Sequence, residues 1–293
     1  MIQKRYLPSV LLSILLVFMT LAATLCLYAK YSLTHEKVCT ELIAQEQLDV
    51  RVRENLNTYF SDRASSTGIP AATYMEHLSE EQLQQAIADS ITNAYAYLNG
   101  NANAIGFRMD FTELEASVKQ FFNDYADSIG HTKDEAFDKK VNATIDAAET
   151  QILTTADVFR FETMESAGLL GKVKRVMPYL DGALAGSLIG LLLLLLSLWL
   201  VHRKQPRMLL YWIGSSTLIA SVLALIPLIY VKATDYFSGF SIKSTQIYAA
   251  VTGLLNRVTS QLFWIAIILL LCSILLLVLF ALLSRRHAEQ TTA

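Results

Sequence analysis

The sequence predicts an all-α integral membrane protein with four transmembrane helices and a large α-helical ectodomain between the first and second. Three observations predict it. Four long runs carry almost no charge, short basic segments flank those runs on one side, and helix-start signals recur through residues 30–179. The chain is 53% hydrophobic and 17% charged, with a mean hydropathy of +0.38. A soluble domain carries about 25% charged residues. Here the deficit sits in the four runs, which leaves one polar domain attached to a membrane core.

Crossing about 30 Å of hydrocarbon takes about 20 apolar residues at 1.5 Å rise each. Residues 7–29, 180–201, 208–231 and 262–283 meet that length, and the only Asp, Glu, Lys, Arg or His in them is Asp181, at a mouth. Six consecutive leucines, 191–196, mark the second run. The first run has a basic start, Lys4 and Arg5, but its apolar core of about 22 residues exceeds the 7–15 of a signal peptide. Leu25 before Cys26 is wrong for lipoprotein cleavage, where a small residue is expected. An uncleaved anchor follows.

Orientation comes from the short flanks. The N-terminus (1–6), the loop 202–207 and the tail 284–293 carry Lys4, Arg5, Arg203, Lys204, Arg207, Arg285 and Arg286 against one acid, Glu289. The positive-inside rule makes that side cytoplasmic. Residues 30–179 carry fourteen Lys/Arg against twenty-three Asp/Glu, a net of −9 on the other face. Lys172, Lys174 and Arg175 run against this pattern, and contact with outer-leaflet headgroups is expected of them. Trp199 and Trp212 near the inner ends, with Tyr179 and Tyr230 near the outer ones, suit aromatic belts. A multi-pass protein of the cell membrane, with both termini cytoplasmic, is expected.

Within 30–179, Ser79-Glu-Glu-Gln82, Thr112-Glu-Leu-Glu115 and Thr132-Lys-Asp-Glu135 match the capping box, in which a hydroxyl and a carboxylate or amide satisfy orphan N–H groups. Each precedes an apolar stripe: Leu83, Ile87, Ile91, Tyr95 and Leu98; Leu114, Val118, Phe121, Phe122, Tyr125 and Ile129; Phe137, Val141, Ile145, Ala148 and Ile152. Gly100 and Gly130 stand where a left-handed residue ends a helix. Residues 33–60 also read as helix, burying Val38, Leu42, Leu48, Val52, Leu56 and Tyr59, and Pro70 suits the first turn of a short helix ending near Leu78. Nothing obvious interrupts the chain between the first span and that helix, and only Gly168, Gly171 and Pro178 break the stretch before the second span. Paired stalks carrying the capped helices are therefore expected. In the second outer segment, 232–261, Ile247, Tyr248, Val251, Leu254, Leu255 and Val258 form a stripe expected to extend the fourth span outward, the alternative being an amphipathic helix on the surface.

Gly182, Gly186 and Gly190 form a double GxxxG on the second span, and Ser216, Ala220 and Ala224 a small-residue face on the third. Such notches let helix backbones approach closely. The reading favoured is packing within the protein's own bundle, with a homo-oligomer or partner membrane subunit as the alternative. Pro227 sits in the outer half of the third span, where a kink is expected. Cys39, alone in the polar domain, reads as a buried thiol rather than an interchain disulfide.

No catalytic, cofactor or metal site is expected. Proton relays and intramembrane hydrolases need ionisable groups at depth, and these spans have only hydroxyls there. His131, Glu135 and Asp138 are the nearest approach to a metal set, but Glu135 already has a capping role. No phosphate-binding glycine loop, HExxH, GxSxG or calcium loop occurs, and Asn142-Ala-Thr144 is a glycosylation sequon in a helical stretch. The acids are scattered on solvated faces, and neither calcium nor nucleic acid is expected as a partner; membrane lipid is. The layout of one span, a large outer domain and three further spans resembles ABC-type permeases whose ectodomains transmit force, a resemblance of topology alone. The loop 202–207 leaves little cytoplasmic surface for coupling an ATPase. The function expected is therefore a non-enzymatic membrane protein whose ectodomain acts as scaffold, sensor or accessory subunit, with a channel or permease-like transporter subunit as the alternative.

Overall fold

The computed structural model describes residues 3–106 and 108–292, with side chains between 6 and 285. The flanking residues Lys4, Arg5, Arg286, His287 and Glu289 thus lie outside the described side chains. The chain is 83% helix, with no strand among the described residues. In order the helices are α1 (Gln3–Tyr28), α2 (Lys37–Gln45), α3 (Leu48–Thr67), α4 (Ala72–Met75), α5 (Glu80–Leu98), α6 (Thr112–Ile129), α7 (Glu135–Ala156), α8 (Phe161–Ser166), α9 (Leu169–His202), α10 (Arg207–Ala233) and α11 (Thr245–Thr292). The chain divides into two compact units. One joins Met1–Thr34, Val176–Gly239 and Leu255–Ala293; the other joins His35–Arg175 and Phe240–Leu254.

The first unit contains the four runs long and apolar enough to cross a membrane. Its internal contacts combine buried aliphatic side chains such as Leu16 and Leu198 with small and polar ones. Helix α1 packs along α10, where the Ser13 and Ser216 hydroxyls hydrogen-bond and Tyr6 stands edge-on to Trp212, 5.9 Å between centroids. Helix α9 meets α1 through Ser9 Oγ and His202 Nε2 at 2.9 Å, and its Asp181 pairs with Lys30, just past the end of α1, at 2.7 Å. Tyr28 donates to Gln261 Oε1 of α11 at 2.8 Å. The outward faces stay apolar: Leu192, Trp264 and Leu271 are 66%, 63% and 60% exposed. A helix apolar on every side needs cover, and where protein leaves it bare, lipid is the solvent that suits it.

The second unit has a core of aliphatic side chains. Leu48, Val52 and Leu56 of α3, Leu83, Ile87 and Ile91 of α5, Leu114 and Val118 of α6, and Val141, Ile145 and Ile152 of α7 are all buried in it. Full burial of one such side chain contributes on the order of 1.5–3 kcal/mol. Helix α5 starts as expected: Gln82 N donates to Ser79 Oγ at 3.1 Å and Ser79 N to Gln82 Oε1 at 3.0 Å. Gly130 ends α6 at φ 64°, and Gly100 follows α5 at φ 79°, a region costly to residues with a Cβ.

Other expectations are corrected. Thr112 does not cap α6. It lies inside the helix, and Asp110 Oδ1 accepts from its N–H at 3.0 Å and its hydroxyl at 2.6 Å. The cap of α7 is Asp134, which accepts from Phe137 N at 2.9 Å, and Thr132 lies outside the helix. A carboxylate upstream outcompetes the hydroxyl in the first case and one downstream does so in the second, because a charged acceptor makes the stronger hydrogen bond. The stripe on α6 also turns: Ala126 is buried, while Tyr125 and Ile129 are 57% and 59% exposed. Its inner face runs 114, 118, 122, 126 in steps of four, which carries 125 and 129 off the core.

The helix read over 33–60 is two helices. After α1 comes a π-helical turn, Ala29–Leu33, whose last bond runs from Thr34 N to Ala29 O. The Thr34 hydroxyl also bonds the Lys30 carbonyl and so competes with the regular ladder. A second break falls at Gln47, held at φ 50°, and α3 runs on to Gly68. The first span therefore does not continue as an unbroken stalk. Before the second span, α7 stops at Asp157, whose carboxylate accepts from Phe161 N at 2.9 Å and Glu162 N at 3.0 Å and starts α8. From Leu169 onward α9 is continuous through Gly171 and Pro178. Helix α10 likewise continues past Pro227. Helix α11 runs unbroken from Thr245, so the fourth span is extended, but its buried face is not the aliphatic stripe. Gln246, Ala249, Ala250 and Gly253 are buried there, and a Cβ on Gly253 would lie 2.8 Å from Glu46 Cγ. Small residues face inward because another side chain occupies the space.

Lys174 is also reassigned. Its Nζ donates to Ala102 O at 3.1 Å and lies 4.0 Å from the Tyr97 ring centroid. The ammonium is used within the helical unit, whereas Lys172 and Arg175 are exposed. The half-buried Trp212 ring stands edge-on to Tyr6 and stacks on His202 at 6.3 Å.

Candidate functional site

The helical unit carries a recess of about 260 Å³ between α3 and α7. One wall comes from Tyr59, Arg63 and Thr67, spaced four apart on α3 and therefore on one face. The opposite wall is Ala143, Thr144, Ala147 and Ala148 of α7. The recess exists because α7 presents alanines where a larger side chain would fill the gap. Phe60 and Tyr74 close its inner end, with rings stacked 4.2 Å apart and both 5% exposed.

Its electrostatics are one-sided. The Arg63 guanidinium lies over the Tyr59 ring at 4.7 Å, and none of the ion pairs among the described residues involves it. Burial, and then the neighbouring Tyr59, hold the Tyr74 hydroxyl above its usual range. The hydroxyls of Thr67 and Thr144 are committed to the carbonyls of Arg63 and Lys140, both at 2.9 Å. The recess thus offers an apolar, aromatic interior with one cation at its mouth. That combination suits a small amphipathic anion, its carboxylate on the guanidinium and its apolar body on the rings. No motif announces this site. Tyr59 was expected in the core, and the i, i+4 pairs Tyr59/Arg63 and Ala143/Ala147 were visible, but not that they face each other.

The residues singled out for helix packing separate into two groups. Ser216 and Ala220 are fully buried and Ala224 is half-buried. On α9 a Cβ on Gly190 would meet the end of the Met19 side chain, whereas Gly182 and Gly186 have no atom within 4 Å of theirs. Those two glycines are not used by the chain's own bundle. Gly214, which was overlooked, is the notch between α10 and α11: a Cβ there would lie 3.0 Å from Leu277 Cγ and 3.3 Å from Leu276 Cβ. It is the single glycine of α10, a signal that was available.

Cys39 is 2% exposed and its Sγ lies 3.4 Å from Tyr95 Oη, which places it away from any interchain disulfide. Burial first, and then Cys39 and Glu36, push the Tyr95 hydroxyl far above its usual range. His131 stands 6.1 Å from the Phe137 ring, and no group of three His, Cys, Asp or Glu able to hold a metal occurs among the described residues. The chain matches no protein-family model, no curated protein and no solved structure.

Proposed function

We propose that the chain is a non-enzymatic multi-pass protein of the cell membrane whose helical domain stands outside and acts as a sensor for a small amphipathic anion. The observation that carries the reading is Arg63, outside every described ion pair, at the mouth of a recess walled by Tyr59, Phe60, Tyr74 and alanines. Four bare apolar helices support the membrane setting, and the basic flanks support cytoplasmic termini and an outer helical domain.

Two experiments test it. In a chain with Cys26, Cys39 and Cys272 replaced by alanine, a membrane-impermeant maleimide applied to intact cells should label Asn101→Cys and spare Gln205→Cys. The reverse pattern overturns the orientation. For the recess, 3-phenylpropionate should raise the melting temperature of the full chain in detergent, while neutral 3-phenylpropanol should not. Arg63→Gln and Ala147→Leu should each abolish the rise. A shift unchanged by both substitutions would refute the recess as the site.

A second reading, an accessory subunit, is favoured by Gly182 and Gly186, whose open positions suit a helix from another membrane chain or a second copy. Co-purification in mild detergent followed by mass spectrometry tests it. A stoichiometric membrane partner lost in Gly182→Ile/Gly186→Ile would support it, and an unpartnered monomer would count against it.

A further inference from the structure

The turn between α9 and α10 borders an open cavity of about 630 Å³, lined by Lys204, Gln205, Pro206, Arg207 and Leu210, with Leu283 of α11 on one side. Two lining residues are cations, and no acid lies among the lining residues or anywhere in the turn 202–207. None of the ion pairs among the described residues involves Lys204 or Arg207. Gln205 and Pro206 complete the turn, and the apolar wall is Leu210 and Leu283, which belong to two of the candidate spans.

We infer that this cavity binds the headgroup of an anionic phospholipid, with Lys204 and Arg207 on its phosphate and the acyl chains lying along Leu210 and Leu283. The inference rests on the membrane reading above but is independent of the recess between α3 and α7. Three arguments select this ligand. Basic pockets between spans on the cytoplasmic side are suited to lipid headgroups, and the positive-inside rule places this turn there. The cavity of about 630 Å³ is more than an inorganic phosphate fills, so a free anion leaves the leucine wall unused. A zwitterionic headgroup brings its own cation, which Lys204 and Arg207, with no acid among the lining residues, would repel.

The test uses the full chain purified in a non-ionic detergent, with thermal stability and native mass spectrometry read against added phosphatidylglycerol, phosphatidylcholine and inorganic phosphate. Phosphatidylglycerol should bind and stabilise, and phosphatidylcholine should not. At about 1 kcal/mol per cation near a lipid phosphate, Lys204→Gln/Arg207→Gln should bind phosphatidylglycerol roughly thirtyfold more weakly. Leu210→Trp keeps both charges but fills the cavity, and it should weaken binding as well. Arg203→Gln/Arg285→Gln removes two nearby charges that do not line the cavity, and it should stay within about twofold of the unmodified chain. Equal losses in the two double variants would overturn the site in favour of general surface attraction. So would undiminished binding by Lys204→Gln/Arg207→Gln, or millimolar phosphate competing while the lipid has no effect. Alkaline carbonate extraction separates the two levels: a chain that stays in the membrane pellet but shows no lipid preference refutes this inference alone, and one released to the supernatant refutes the membrane reading.

Discussion

The hydroxyl of Ser13 donates to that of Ser216 across the contact between α1 and α10. The direction follows from Ser216, whose own proton goes to the Trp212 carbonyl at 2.8 Å. Interhelical hydrogen bonds of this kind contribute about 0.6 kcal/mol on average in spans. Ser13→Ala should therefore cost about 0.5–1 kcal/mol in a thermal or denaturant titration of the full chain. Ser216→Leu should cost more, about 1–3 kcal/mol, because residue 216 is fully buried and the extra volume must wedge the two helices apart. Equal effects from the two variants would argue against close contact at Ser216.

Asp157 is 3% exposed and its carboxylate accepts the backbone N–H groups of both Phe161 and Glu162. Asp157→Ala removes both acceptors, and leaving buried donors unpaired costs about 1–3 kcal/mol. The helical unit should lose stability by that amount, with amide exchange quickest over 157–166. Asp157→Asn keeps one acceptor and should lie between the two.

Glu162 gives a pH signature. Burial, and then Asp157 and Glu165, raise its carboxyl above the usual value. A folded-state pKa above the unfolded one means that the folded chain holds the proton longer. The associated stability is full below the unfolded pKa and is lost as pH rises through the folded one. Glu162→Gln should thus be the more stable chain at pH 7, and the difference should vanish toward pH 4. Melting temperatures at the two pH values check the sign.

Cys39 should resist a hydrophilic maleimide in the native protein and react once the chain is denatured, since its thiol is buried beside Tyr95. Counting labels by intact mass before and after denaturation measures this. Native labelling at Cys39 would mean that the helical core opens around α2 and α5.

What could be read in advance was whatever is settled within one turn or one helix. The four long apolar helices, the Ser79–Gln82 box, the glycine stops and the stripes on α5 and α7 depend on residues close along the chain. Such neighbours interact in any context, so periodicity and capping chemistry determine them. The misassigned caps at Thr112 and Thr132 were also local, and there two acceptors competed within a few residues. The break at Gln47 carries no glycine or proline to mark it. It is held by the burial of residues on either side, such as Leu42 and Leu48, and only the assembled core decides that.

The same division runs through the candidate sites. The sequence alone determined that glycine notches line α9 and that Ala148 belongs to the apolar stripe of α7. Only the tertiary structure decided that Gly190 is filled by Met19 while Gly182 and Gly186 stay open, and that Ala143 and Ala147 leave a recess beneath Arg63. A missing side chain is a gap or a contact according to what lies opposite. That neighbour comes from a distant part of the chain, brought there by burial of apolar surface, which is non-directional and leaves no spacing signature in the sequence.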